Sequence, residues 1–169
     1  NNILLCNTGG SHREKARYIR TLLEKRVDGL VFVGSVYREK DGAQEILAAA
    51  RSLPVVMINS IIEGPNIFSV LCDDRRGIGE AIGYLADAGK RKILFINTTA
   101  TGSARLKEAE YLARLEQLGI GPEDRRILET SPETLHQLPA AIGEAFREAR
   151  FDAVLASDDL FANVAVNTL

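Results

Sequence analysis

The sequence predicts an α/β fold of doubly wound parallel sheets, organised as two similar halves. Three observations predict it. Short apolar runs alternate with stretches whose apolar residues recur every three or four positions, so strands alternate with helices. The strand-like runs are continuously apolar, which places them in parallel sheets with helices on both faces. Third, Arg26-Val27-Asp28-Gly29-Leu30-Val31 resembles Arg150-Phe151-Asp152-Ala153-Val154-Leu155. Each follows a helical stretch and, before it, a β-like segment with a polar end, Ile3–Thr8 or Arg126–Thr130. Thr8 to Asp28 is 20 residues and Thr130 to Asp152 is 22. Two unrelated βα units would also look alike, since one apolar strand resembles the next.

The elements follow in order. Ile3-Leu4-Leu5-Cys6 is a first strand, and Arg13 to Lys25 a helix with Ala16, Ile19, Leu22 and Leu23 on one face. Gly29–Val33 is a strand and Gly42–Ser52 a helix. Pro54–Ile58 is a strand whose proline sits where a missing N–H is tolerated. After the turn residues Gly64-Pro65-Asn66 comes Ser69–Cys72, then a helix from Arg75 to Ala88 stopped by Gly89. Lys92–Ile96 is a strand. Ser103 is placed to cap a helix running to Leu118, and Ile127–Glu129 is a short strand. Ser131-Pro132 reads as cap and first residue of a helix towards Glu148. Ala153–Ala156 is the last strand, and a helix starts near Leu160. The halves divide into residues 1–72 and 73–169. A strand at the first residue and an uncapped helix at Leu169 predict that both are incomplete. The first strand and helix of one, and the last strands of the other, are expected to lie outside these 169 residues.

Composition narrows the function. With 46% apolar and 26% charged residues the chain can bury a core. Twenty-one basic against 23 acidic residues leave a formal charge of −2, without overall attraction for nucleic acid or anionic lipid. No apolar run is long enough to span a membrane, and the first residues lack the pattern of a secretory signal. Cys6 and Cys72 form no disulfide framework and read as small buried hydrophobes, so a reduced, cytoplasmic setting is expected. His12 and His136 are far apart and predict no metal site. Thr98–Ser103 precedes a helix but lacks the spacing and lysine of a nucleotide-hydrolysing loop. Asp73-Asp74 reads as a turn and helix start. No nucleophile–base pair or catalytic carboxylate pair stands out, so no enzyme and no cofactor are predicted.

Cys6-Asn7-Thr8, Lys25–Leu30, Leu53–Val56, Asp73–Gly77, Ala88–Ile93, Ser103–Leu106 and Phe151–Asp159 follow one another at the spacing of the lactose-repressor family. The sequence resembles that family over essentially its whole length. The resemblance implies two α/β subdomains of the periplasmic-binding-protein type with a hinge and a ligand cleft. It also implies a helix-turn-helix ahead of Asn1 that binds operator DNA as part of a homodimer. The sequence departs from the family pattern at Asn59 and Ser60 (usually Asp and Arg), Lys90 (usually His) and Asp158-Asp159 (usually Asn-Asp). These departures bear on the ligand rather than the fold.

Ligands of open α/β sheets bind outside the carboxyl ends of the strands. Those ends carry Asn7-Thr8, Ser35, Asn59-Ser60, Asn97–Thr101 and Asp158, a set of hydroxyls, amides and one carboxylate suited to a neutral, hydroxyl-rich molecule. Arg105 lies one turn into the next helix, and its planar fork can hold two ligand oxygens. The resemblance makes Arg105 the main ligand clamp and turns Asp158, Asn59, Thr101 and Ser35 towards the cleft. Asp159 is expected to cap the final helix. The predicted function is the effector-sensing core of a transcriptional regulator, for a sugar-like effector first and a purine second. The competing reading is a periplasmic solute-binding protein feeding a transporter. A small α/β enzyme is a third.

Overall fold

The computed structural model describes residues 2–8, 12–34, 40–98 and 101–169. Its contacts separate into two compact units, Asn1–Cys72 and Asp73–Leu169. The first contains α1 (His12–Glu24), β1 (Leu30–Val33), α2 (Lys40–Ala50), β2 (Val55–Ile58) and β3 (Ile67–Val70). The second contains α3 (Asp74–Asp87), β4 (Ile93–Asn97), α4 (Gly102–Gln117), β5 (Arg126–Glu129), α5 (Leu138–Glu148), β6 (Ala153–Ala156) and α6 (Asp159–Thr168). Every strand pairing is parallel, as continuous apolar strands require.

In the first unit the sheet order is β1-β2-β3. Leu30, Val55 and Met57 point to the side where α1 and α2 pack, and form a core with Ile19, Ile46, Ala49 and Ala50. The opposite face departs from the expectation of two covered faces. Val31, Val33, Phe68 and Val70 are more than half exposed. The helix α1, which leads into β1, and α2, which joins β1 to β2, lie on one side, so alternation within each strand leaves the other residues in solvent. A second departure is Ile3-Leu4-Leu5-Cys6, which is not a strand. Ile3 and Leu5 are 91% and 94% exposed. Four apolar residues cannot hold a strand alone, and among the described residues β1 pairs only with β2. Third, β3 runs over Ile67–Val70, two residues earlier than Ser69–Cys72. Its register is set by Val55 opposite Ile67, directly after the turn at Asn66.

The second unit is doubly wound, with order β5-β4-β6. All five residues of the central β4 are buried. Ile93 and Phe95 meet Ile78, Ile82, Tyr111 and Leu115 of α3 and α4 on one face. Ile96 meets Leu138, Ile142, Phe161 and Ala165 of α5 and α6 on the other. Phe95 stacks on Tyr111 with ring centroids 4.8 Å apart. The helices end where backbone demands it: Gly89 and Gly119, just beyond α3 and α4, take φ of +77° and +68°.

Two helix starts differ from expectation. Thr101, not Ser103, caps α4, because the helix already begins at Gly102 and the Thr101 hydroxyl accepts from the Ala104 amide at 3.1 Å. Ser131-Pro132 closes a separate turn through reciprocal Ser131–Thr134 hydrogen bonds. The α5 helix proper opens at Leu138, with Pro139 in its first turn.

Candidate functional site

The order β5-β4-β6 makes β4 the strand at which the winding reverses. The chain leaves β4 for β5 on one side and crosses to β6 on the other. Ligands of open parallel sheets bind outside the carboxyl end of such a strand. Asn97 closes β4 there. It is fully buried, and its Nδ2 donates to the Ala104 carbonyl at 3.0 Å, fixing the first turn of α4. Its Oδ1 is buried without a partner among the described residues.

Thr101 stands at the same end, but its hydroxyl is used by the α4 cap. Asp158 follows β6 and is the N-cap of α6, its carboxylate accepting from the Leu160 amide at 2.9 Å. Asp159, assigned that cap from sequence, occupies the first helical position. Its carboxylate also accepts from Leu160 at 2.9 Å. Each carboxylate still has acceptor capacity to spare, since one oxygen takes the amide.

Arg105 lies on the exposed side of α4, and its side chain forms no hydrogen bond or ion pair with described residues. Lys107, two residues on, reaches the strand ends instead. Its ammonium donates to the Ser157 carbonyl at 2.9 Å and lies 3.7 Å from Asp74. The sequence carried a signal for this. Lys107 is one turn before the fully buried Tyr111 and so shares its side of the helix.

Asn59 belongs to the first unit, at the carboxyl end of β2. It is exposed with φ of +59°, and its amide donates to the Val70 carbonyl at 2.9 Å. Ser60 beside it is buried, its hydroxyl without a partner among the described residues. Ser35 lies outside the described residues. Thr101, Asn97, Lys107 and Asp158 are thus grouped on one sheet end, Arg105 lies on the exposed side of α4, and Asn59 stands in the other unit.

Among the described residues no cluster of three His, Cys, Asp or Glu could hold a metal ion, and no helix is long and apolar enough to cross a membrane. A cavity of about 270 Å³ opens at the opposite, amino-terminal end of the second sheet, between Pro122 and Phe151. Its charged rim is largely self-paired, Lys92 with Asp124 at 2.8 Å and Arg126 with Glu148 at 3.2 Å. The carboxyl end of that sheet, where Thr101, Lys107 and Asp158 stand together, is the better candidate.

The family described as periplasmic binding proteins and sugar binding domain of LacI family matches residues 1–169. The chain belongs to that family. An HTH-type transcriptional regulator of Lachnoclostridium phytofermentans is 32% identical over 162 residues, 94% of this LacI-family chain and 48% of that protein. The HTH-type transcriptional repressor PurR of Vibrio atlanticus is 28% identical over 161 residues, again 48% of its length. The ribose operon repressor of Escherichia coli is 30% identical over 126 residues, 72% of this chain and 37% of that one. The LacI-family chain therefore spans about half the length, or less, of these relatives. Among solved structures, a protein from Actinobacillus succinogenes superposes with a TM-score of 0.82 at 25% identity, covering 99% of this chain and 60% of the other. The transcription regulator CcpA of Lactococcus lactis gives 0.80 at 22%, covering 99% and 60%, which supports the fold.

Proposed function

We propose that this LacI-family chain is the effector-sensing core of a transcriptional regulator, with a sugar or sugar derivative as effector and a purine as second choice. The observation that carries the reading is the carboxyl end of the second sheet in a family member, where Thr101 and Asp158 offer directional partners to hydroxyl groups. Arg105, Asn59 and Ser35 complete the proposed set. Relatives named as regulators and repressors favour this over delivery of a solute to a transporter.

Effector binding shifts the balance between conformations of the core in proportion to its unequal affinity for them. The shift repositions helix-turn-helix heads carried in the rest of a cytoplasmic homodimer, and so changes operator binding. No reaction is assigned to the chain.

Thermal unfolding of the chain against pentoses, hexoses, disaccharides and free nucleobases tests the reading. A ligand present at 100 times its Kd adds about 2.7 kcal/mol, a shift of several degrees at this size. Arg105→Ala and Asp158→Asn are expected to abolish the shift given by the active sugar. A shift with a nucleobase alone selects the second choice, and a sugar shift that survives both substitutions removes these residues from the site.

A further inference from the structure

We propose that Lys107 is a positioning residue: a latch that holds the β6–α6 turn carrying Asp158 to the first turn of α3. Three ties converge on the first two turns of α4. Asn97 binds the Ala104 carbonyl at 3.0 Å, joining β4 to the helix. Lys107 binds the Ser157 carbonyl at 2.9 Å, joining the helix to the end of β6, and it reaches Asp74 at 3.7 Å, joining it to α3. Lys107 and Asp74 are only 24% and 20% exposed. A largely buried ammonium must be satisfied: the carbonyl takes one of its three donors, and the carboxylate stands at ion-pair distance. The short bond to Ser157 is the stronger tie, because it is charge-assisted and partly shielded from water.

The location gives the latch its consequence. Ser157 is adjacent to Asp158, so the amine fixes the backbone that presents this carboxylate. Asp74 is the first residue of α3 and follows the boundary between the units, at Cys72 and Asp73, by one position. One side chain therefore connects a strand end to the point where the chain enters the second unit. A change at the β6–α6 turn is felt at the start of α3, and the reverse, as coupling between sites demands. That Asp158 meets an effector rests on the function proposed above; the latch itself does not.

Amide hydrogen exchange on the 169-residue chain, without added ligand, keeps the two questions apart. Lys107→Met retains the apolar stem and removes the charge. It is expected to raise exchange about tenfold at Ser157 and Ala162, whose amides bond to Ile96 and the Asp158 carbonyl, and at Gly77, which bonds to the Asp73 carbonyl. Asp74→Asn leaves the Ser157 bond in place and is the decisive variant. A latch predicts that it accelerates exchange at Ser157 and Ala162 as well as at Gly77. Acceleration confined to residues 74–78 would overturn the proposal, as would unchanged protection at Ser157 in Lys107→Met. If Lys107→Met fails to fold, Asp74→Asn alone decides. Loss of effector response with both exchange results intact would count against the functional reading only.

Discussion

Tyr111 carries the polar tie inside the core of the second unit. Its ring is fully buried against Phe95, and its hydroxyl donates to the Ile93 carbonyl at 2.7 Å, with the Arg126 carbonyl at 3.3 Å. Burial pushes the phenol up to about 12 from its ordinary value of 10.0. The folded state therefore holds this proton more tightly than the unfolded chain. Its contribution is complete below pH 10 and is lost as pH rises from 10 towards 12. Urea unfolding should show that decline in the wild type and a shallower one in Tyr111→Phe, which near neutrality should cost about 1–2 kcal/mol for the lost hydrogen bond. Asn59 is a backbone choice as well as a candidate ligand. At φ of +59° asparagine is tolerated where a β-branched residue is not. Asn59→Val is expected to cost roughly 1–2 kcal/mol in thermal unfolding and Asn59→Gly a few tenths. The glycine variant thus removes the side chain's recognition chemistry from a nearly unchanged fold. Sequence supplied the residue types at the strand ends but not their occupations, because a hydroxyl or carboxylate that caps a helix looks the same in one dimension as one that waits for a ligand.

At the scale of elements, helix starts decide how those side chains are spent. Asp158 caps α6 and Thr101 caps α4. Asp158→Ala and Thr101→Ala should each lower stability by about 1 kcal/mol without any effector, whereas Asp158→Asn and Thr101→Ser keep the cap. Thermal unfolding of the four variants separates capping from recognition, since only the conservative pair leaves binding measurements on an intact helix. Helix interiors were legible from periodicity: Leu138, Ile142 and Ala145 fall on one buried stripe of α5. Helix ends were less so. Ser103 and Thr101 are both plausible caps two residues apart, and the length of β4, which runs through Asn97, chooses between them. Ser131-Pro132 carried a cap signature that its own turn consumed through Thr134.

Over the whole molecule the two units differ in how their sheets are covered. In the second, helices cover both faces and β4 is buried along its full length. In the first, the side bearing Val31, Val33, Phe68 and Val70 faces solvent. Native-state hydrogen exchange should find the amides of Phe95 and Ile96 among the slowest, and those of β1 and β3 markedly faster, because local opening there exposes little additional surface. Comparable protection in both sheets would contradict this. The sequence by itself determined the α/β class, the parallel strands, the alternation of elements and the family, since these follow from periodicity and the ordered spacing of short motifs. Only the tertiary structure decided that, among the described residues, Ile3–Cys6 joins no sheet, that one face of the first sheet is left exposed, and that Lys107 reaches the end of β6. Each of these depends on what lies across space from a residue: a strand edge, a covering helix, a carbonyl on another element. Local sequence records a residue's own preference, and it does not record its neighbour.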